Sequence, residues 1–255
     1  MQSMTNPLLL GVNIDHVATL RQARYRAMPD AYNAEPSVLR AALDAEAAGA
    51  HSITIHLRAD RRHIQDADVF LLRREIRTKM NLEMGNTAEI LEIALQVRPD
   101  FVCMVPENRE EVTTEGGLDV AGQQAALAES VRRLQAGGTK VSMFIDPDPE
   151  QITASAAIGA DMVELHTGTF ANHQGQQRSA EAARLKAAAA LGHGLGLQIN
   201  AGHGLTTANL PELFIVPHLK ELNIGHHLVS RAITIGLNAA IKEMLAAMAT
   251  YPHQA

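Results

Sequence analysis

Aromatic and basic residues are scarce in this chain. Tryptophan is absent, phenylalanine and tyrosine make up 3% of its 255 residues, and the stacking platforms that bind nucleic-acid bases are built from such rings. Lysine and arginine number 22 against 28 aspartates and glutamates, which gives a net charge of −6. Proteins that bind a nucleic-acid backbone usually have a basic face. The composition therefore argues against a nucleic-acid partner.

The sequence also has a single cysteine and no long apolar run. Cys103 cannot form an internal disulfide, which is typical of a reducing compartment, and its apolar neighbours indicate a buried structural thiol. No segment reaches the roughly 18 apolar residues that span a membrane. The early LLLGV segment is too short for a secretory signal. We expect a cytoplasmic chain with no membrane partner.

Short apolar segments alternate with helical patterns along the whole chain. Several are continuous apolar runs, as in strands covered on both faces. The candidate strands are residues 8–13, 52–57, 80–84, 101–105, 140–145, 161–166, 196–200 and 221–225. Eight strands alternating with helices predict a single α/β domain over residues 1–255, a (β/α)8 TIM barrel. A doubly wound sheet is the alternative, but the glycines of GHGLG precede a strand, whereas a dinucleotide-binding loop follows one.

Residues typical of helix ends mark several boundaries between these segments. Pro36 is predicted as the first residue of a helix that stops at Gly49. Asp148 is the predicted cap of a helix whose first residue is Pro149, and the Ala-rich helix further on is predicted to end at Gly192.

Polar side chains gather where the predicted strands end, which is the rim that carries the active site in barrels of this kind. They are Asn13, Asp15, His16, His56, Arg58, Glu83, Glu164, His166, Asn200, His203, Asn223 and His226. Any one of them alone is more often a structural hydrogen-bonding group. Because burying ionisable groups costs free energy, their repetition around one ring favours a functional cluster.

Glu83 is the strongest single candidate for a functional residue, since it alternates with apolar residues in MNLEM. Burial is expected to raise the pKa of such a carboxyl, which suits proton abstraction. The alternative is a structural ion pair with Arg58. Glu164 in MVELH is similar, and His203 lies isolated between two glycines. A metal site is the less favoured interpretation, because the chain contains neither HxH nor HExxH.

Two sets of loops are candidates for phosphate binding. The first follows the seventh and eighth strands, where GHGLTTANL has a predicted helix start at Thr206 and NIGHHLVSRAI begins another helix. The second is the basic segment HLRADRRH, residues 56–63. The alternatives without phosphate binding are that the glycines of the first set only form tight turns and that the second set is a solvated charged loop. The long segment 105–119 is predicted to be a ligand loop or lid.

Eight motifs follow one another along the chain: GVNIDHVATLRQAR, TIHLRADRRHI, MNLEM, VPENREEVTTEGGLDVAGQ, VSMFIDPD, ELHTG, INAGHGLT and ELNIGH. Together they resemble the pyridoxine 5′-phosphate synthase family of vitamin B6 biosynthesis. The resemblance implies condensation of 3-amino-2-oxopropyl phosphate with 1-deoxy-D-xylulose 5-phosphate, in a barrel with extra helices that assembles as a homo-octamer and uses no metal or other cofactor. Segments 25–38 and 170–181 depart from the family pattern but contain no motif residue.

The resemblance also implies roles for particular residues. His56 and Glu83 resemble the family's proton acceptors, His203 its proton donor and Glu164 the group that stabilises the transition state. The implied contacts to the amino-ketone phosphate are Asn13, Arg24, Gly204, Gly225 and His226. Those to the deoxyxylulose phosphate are Asp15, His16, Arg58, His63 and Thr113. One competing interpretation is a phosphate-binding barrel isomerase or epimerase, with or without dependence on a metal. The other is a sugar-phosphate sensor or a structural barrel without enzymatic activity.

Overall fold

Eight parallel strands form a closed barrel in which each strand pairs with its neighbours in the sequence, and β8 pairs with β1. The structure is a computed structural model that describes residues 7–28, 31–107 and 116–252. The strands are β1 (Leu9–Asn13), β2 (Ser52–His56), β3 (Lys79–Met84), β4 (Phe101–Met104), β5 (Lys140–Ile145), β6 (Met162–His166), β7 (Gln198–Gly202) and β8 (Leu219–Ile224). The predicted (β/α)8 barrel is thus confirmed, and all eight predicted strands lie within two residues of the observed bounds.

Eleven α-helices surround the barrel in the described part of the chain, so the expectation of extra helices is also confirmed. They are α1 (Asp15–Tyr25), α2 (Val38–Ala48), α3 (Asp66–Glu75), α4 (Ala88–Val97), α5 (Gln124–Ala136), α6 (Pro149–Ala157), α7 (Gly168–Asn172), α8 (Gly175–Gly194), α9 (Leu210–Leu213), α10 (His226–Ile235) and α11 (Leu237–Met248). None of these helices has both the length and the apolar character that crossing a bilayer requires.

Local side-chain and glycine chemistry sets the helix ends. Asp148 caps α6 and Pro149 is its first residue, as predicted. Gly49 ends α2 with a left-handed φ of 108°. The predicted start at Pro36 was wrong: the Ser37 side chain accepts the Arg40 N–H at 3.2 Å, so the helix begins after Ser37.

The predicted end of the Ala-rich helix at Gly192 was also wrong. That helix, α8, continues to Gly194, and the left-handed residue that turns the chain towards β7 is Gly196, with a φ of 87°. Gly192 lies within the helix, where the absence of a side chain gives room to Ile199: an added Cβ would lie 2.8 Å from the Ile199 side chain.

The barrel wall is apolar towards the helices and polar towards the axis. Ile53 and Ile55 of β2 are fully buried, whereas the intervening Thr54 donates its hydroxyl hydrogen bond to Asn223 Oδ1 at 3.0 Å. Ser52 donates to Glu221 Oε1 at 2.7 Å. These side chains of β2 and β8 meet across Gly11 of β1, where a Cβ would lie 2.0 Å from Asn223 Oδ1. The polar layer supports the site at the carboxyl ends of the strands.

Candidate active site

A cavity of about 660 Å³ opens at the carboxyl ends of the strands, a size typical of small-molecule sites. Its lining includes twelve of the fourteen residues to which the family resemblance gave roles: Asn13, Asp15, His16, His56, Arg58, His63, Glu83, Glu164, His203, Gly204, Gly225 and His226. The residues come from β1, β2, β3, β6, β7 and β8 and the loops that follow them. The barrel topology therefore gathers into one cavity residues that are far apart in the sequence.

Two of the fourteen are not placed at this cavity. Arg24 is exposed near the end of α1, with its guanidinium carbon 5.7 Å from the centre of the Tyr25 ring, and it does not line the cavity in this structure. Thr113 belongs to residues 108–115 and lies outside the described residues. The proposed ligand-loop role of that segment stays a prediction.

Glu83 and Glu164 place two carboxyl groups in the same cavity. Burial raises the pKa of Glu83 well above its ordinary value; the negative charges of Glu164 and Asp15 add to this, and a hydrogen bond from Asn13 opposes it. Arg58, the ion-pair partner considered for Glu83, lies 4.0 Å from Asp60 (Nε to Oδ1). The surroundings of Glu83 therefore favour the protonated form of its carboxyl group.

Glu164 is 3% exposed, and burial raises its pKa to about 7. The Asn223 side-chain amide opposes this by donating a hydrogen bond to Oε2 at 2.6 Å, while the charge of Glu221 adds to the rise. The Cys103 thiol lies 3.9 Å from the same oxygen. Glu164 Oε1 fills the space that a side chain at Gly202 would need, since a Cβ there would be 2.2 Å away. Glu164 is therefore fixed in position and titrates near neutrality.

His56 is held by carboxylates on two sides of its ring. Its Nε2 lies 3.2 Å from Glu107 Oε1 and its Nδ1 lies 4.0 Å from Glu83 Oε2. The His56 main-chain N–H donates to Asp15 Oδ1 at 2.8 Å, and the other Asp15 oxygen accepts from Asn13 Nδ2 at 2.9 Å. Asp15, His56 and Glu83 each present one ligand-capable atom, and these atoms lie within 4.8 Å of one another, so the geometry alone is compatible with a cation.

His203 directly follows β7 and has a φ of 85°, a left-handed conformation that is uncommon outside glycine. The Thr167 hydroxyl donates to its main-chain carbonyl at 2.6 Å. Burial, then the proximity of His166 and His16, lowers the pKa of His203 to about 4. The adjoining Gly168 makes room, because a Cβ there would lie 3.1 Å from the His203 ring and 2.4 Å from His166 Nε2. The isolated histidine of the NAGHG motif is thus neutral at pH 7 in the free site.

The start of α10 lies in the loop after β8, where the sequence predicted phosphate binding. Gly225 is its N-terminal cap and His226 its first residue; the His226 ring meets that of His16 edge-on at 5.0 Å. A helix N-terminus offers unpaired N–H groups and a positive dipole end to a phosphate. A short helix, α9, does form in this loop. The predicted start at Thr206 was wrong, because the Thr206 N–H donates to Asn209 Oδ1 at 2.8 Å in a turn and the helix begins at Leu210.

Glu107, Asp146 and His166 lie on this rim but received no role from the sequence. Glu107 contacts His56 as described. Asp146 Oδ1 lies 2.9 Å from Nδ1 of His166, and the His166 ring centre is 5.1 Å from that of His203. All three follow or end barrel strands. That position was a usable signal, but only the folded barrel shows that each carboxylate meets a histidine from another strand.

A closed (β/α)8 barrel with carboxyl and imidazole groups converging on one cavity defines an enzyme that works by acid–base chemistry. Residues 10–250 match the family model of pyridoxal phosphate biosynthesis protein PdxJ, and the chain belongs to that family. It is 56% identical over 238 residues to the pyridoxine 5′-phosphate synthase of Akkermansia muciniphila, covering 93% of this chain and 97% of that one. It is 54% identical to the Synechococcus enzyme of the same name, covering 94% and 98%.

More distant solved structures share the fold alone. Thiamine phosphate pyrophosphorylase from Pyrococcus furiosus superposes with a TM-score of 0.61 at 14% identity, covering 96% of this chain and 98% of the other. Phosphoribosyl anthranilate isomerase from Thermus thermophilus gives 0.60 at 16% identity, covering 96% and 100%.

Proposed function

We propose that this pyridoxine 5′-phosphate synthase family member condenses 3-amino-2-oxopropyl phosphate with 1-deoxy-D-xylulose 5-phosphate, giving pyridoxine 5′-phosphate, phosphate and water. The observation that carries the proposal is the meeting of Glu83, Glu164, His56 and His203 in one cavity, in a chain more than half identical to enzymes of that name. Joining an amine to a ketone and expelling water and phosphate needs several proton transfers. Each positioned acid or base typically contributes on the order of 10²–10⁴ in rate.

The environments of these groups support a division of roles. Glu83, with its raised pKa, and His56 take up protons from the reacting carbon and oxygen atoms. Glu164 stabilises charge in the transition state. His203 donates a proton to a leaving oxygen, and because its pKa in the free site is about 4, it gains that proton only when a phosphate dianion lies beside it.

Two phosphorylated substrates require two anion sites on the same rim. The first is proposed at the seventh and eighth loops, from Gly204, Gly225 and His226, with Asn13 and Arg24 as further contacts to the amino-ketone phosphate. The second is proposed around Arg58 and His63, with Asp15, His16 and Thr113. The burial of Arg58, which is 3% exposed, supports a fixed cation there, since a buried guanidinium holds an anion in defined geometry.

We propose further that the reaction uses no metal or other cofactor, that the chain assembles as a homo-octamer and that it acts in the cytoplasm. The metal-free proposal rests on the sufficiency of imidazole and carboxyl groups for every proton transfer. Light scattering of the purified protein should give eight times the 27.5 kDa chain mass; a monomer would contradict the assembly.

The decisive test is incubation of the protein with both phosphates while pyridoxine phosphate is followed by its absorbance. We expect product only when both substrates are present. Turnover of one sugar phosphate alone would favour the isomerase or epimerase interpretation. Arg58→Ala should raise KM for the ketose phosphate more than for the amino-ketone phosphate, whereas Arg74→Ala, a change on the exposed face of α3, should alter neither.

A further inference from the structure

Glu107, three residues past the end of β4, joins the ends of three strands. Its Oε1 lies 3.2 Å from His56 Nε2 and accepts a hydrogen bond from the Gly85 N–H, also at 3.2 Å, and its Oε2 accepts from the Ala59 N–H at 3.1 Å. The side chain is 15% exposed. Gly85 allows this approach, because a Cβ there would lie 2.9 Å from Glu107 Cδ.

The ionisation of Glu107 determines which nitrogen of His56 carries a proton. Burial raises the pKa of Glu107, but the hydrogen bonds from His56, Ala59 and Gly85 together lower it overall, so the group is a carboxylate. A carboxylate only accepts hydrogen bonds. His56 Nε2 must therefore be the donor, and in the neutral imidazole the lone pair then resides on Nδ1.

That lone pair lies on the side of the ring where the chemistry is proposed. His56 Nδ1 is 4.0 Å from Glu83 Oε2, and both residues line the cavity. The opposite tautomer would place two acceptors, Nε2 and the Glu107 carboxylate, against each other and would leave no base at Nδ1. A carboxylate that holds the tautomer of a catalytic imidazole has a large effect in other enzymes, because the wrong tautomer cannot accept the proton.

We infer that Glu107 is a positioning residue that holds His56 as the Nε2–H tautomer and so presents Nδ1 to the cavity as the proton acceptor. The inference rests on the proposed function, which gives His56 its role as a base. The competing explanation is purely structural: Glu107 ties the loops after β2 and β3 together through the Ala59 and Gly85 N–H groups.

A double-mutant cycle separates the two explanations. Glu107→Ala should lower kcat by about 10–100-fold with little change in KM. Glu107→Gln keeps an oxygen that can face His56 and should retain part of the lost rate. In a His56→Gln background, replacing Glu107 should cost nothing further, because the residue through which it acts is gone. The inference is overturned if Glu107→Ala leaves kcat unchanged. It is also overturned if replacing Glu107 in the His56→Gln background lowers kcat by the same factor as in the wild type. Glu129→Gln, on the exposed face of α5, is the matched control.

The tautomer itself can be read in the free enzyme, independently of turnover. With ¹⁵N-labelled histidine, the ring nitrogens of His56 are assigned by their loss in His56→Gln. We expect a protonated Nε2 and an unprotonated Nδ1 in the wild type, and a mixture of tautomers in Glu107→Ala or, if that variant is poorly folded, a weaker shift in Glu107→Gln. A wild-type His56 protonated on Nδ1 alone overturns the inference even if pyridoxine phosphate forms. Absence of that product with the expected tautomer would count against the proposed function instead.

Discussion

Replacing Glu164 by glutamine should make the protein more stable at pH 8 and less active. Glutamine has nearly the shape of the protonated acid and can present its carbonyl oxygen to the Asn223 amide that donates to Glu164 at 2.6 Å. It removes the cost of holding a charge at a position that is 3% exposed. It also removes the charge that the proposed mechanism uses, so kcat should fall tenfold or more.

The size of the stability effect follows from the pKa of Glu164, which burial raises from 4.5 to about 7. At about 1.4 kcal/mol per pKa unit, the protonated acid is favoured in the folded state by about 3 kcal/mol. Because the folded pKa lies above the unfolded one, this contribution is complete below pH 4.5 and is lost as pH rises through 7. The contribution of His203 to stability has the opposite pH dependence. Its pKa of about 4 lies below the ordinary 6.5, so this contribution is complete above pH 6.5 and is lost as pH falls towards 4.

The two titrations partly cancel in the wild type, so the informative quantity is the difference between wild type and Glu164→Gln. Denaturant unfolding between pH 5 and 8 should show this difference growing in favour of the variant to about 3 kcal/mol, or roughly 6–12 °C in Tm. The exposed change Glu129→Gln should give no such trend. A difference that stays constant with pH, or a variant less stable than wild type at pH 8, would refute the reasoning.

Three further predictions concern the same rim and its support. The His203 imidazole should titrate well below pH 6 in the free enzyme by NMR, and its pKa should rise when phosphate binds. His203→Ala should lower kcat by about 10²-fold, and near-normal turnover would contradict its role as proton donor. Exhaustive chelation should leave pyridoxine phosphate formation intact; loss that one divalent ion restores would instead place a metal at the site. Gly11→Ala should destabilise the fold by about 1–3 kcal/mol or more, because its Cβ would lie 2.0 Å from Asn223 Oδ1, whereas Gly194→Ala, with nothing within 4 Å, should not.

The barrel and most of its rim were predictable because both depend on local patterns. A continuous apolar run such as SITIH predicts a strand without knowledge of its neighbours. Once eight such strands are placed, the parallel barrel brings the residue after each strand to one end, whatever the sequence separation. Glu83 and His203 could be assigned to one cavity for this reason alone.

Contacts between side chains of different strands were not predictable in this way. The pairing of Asp146 with His166 depends on β5 and β6 being neighbours in a particular register, with Phe144 opposite Glu164. The glycine at position 192 accommodates a close approach of Ile199 rather than marking a helix end, and the start of α2 depended on one serine hydroxyl. Sequence patterns specify which elements form, whereas such contacts depend on distances of a few tenths of an ångström.

One environment acts in opposite directions on the acids and bases of this cavity. Burial raises the pKa values of Glu83 and Glu164 and lowers that of His203, because a poorly solvated site disfavours charge of either sign. The free site therefore carries less charge than its residue types imply. An entering phosphate dianion changes this balance by favouring the imidazolium form of His203 and opposing ionisation of the two carboxyl groups. Fixed cations such as Arg58 must then neutralise the phosphate if Glu83 is to lose its proton and act as a base. In the proposed mechanism, substrate binding itself switches His203 from neutral imidazole to proton donor, and the phosphate sites belong to the acid–base machinery as much as to recognition.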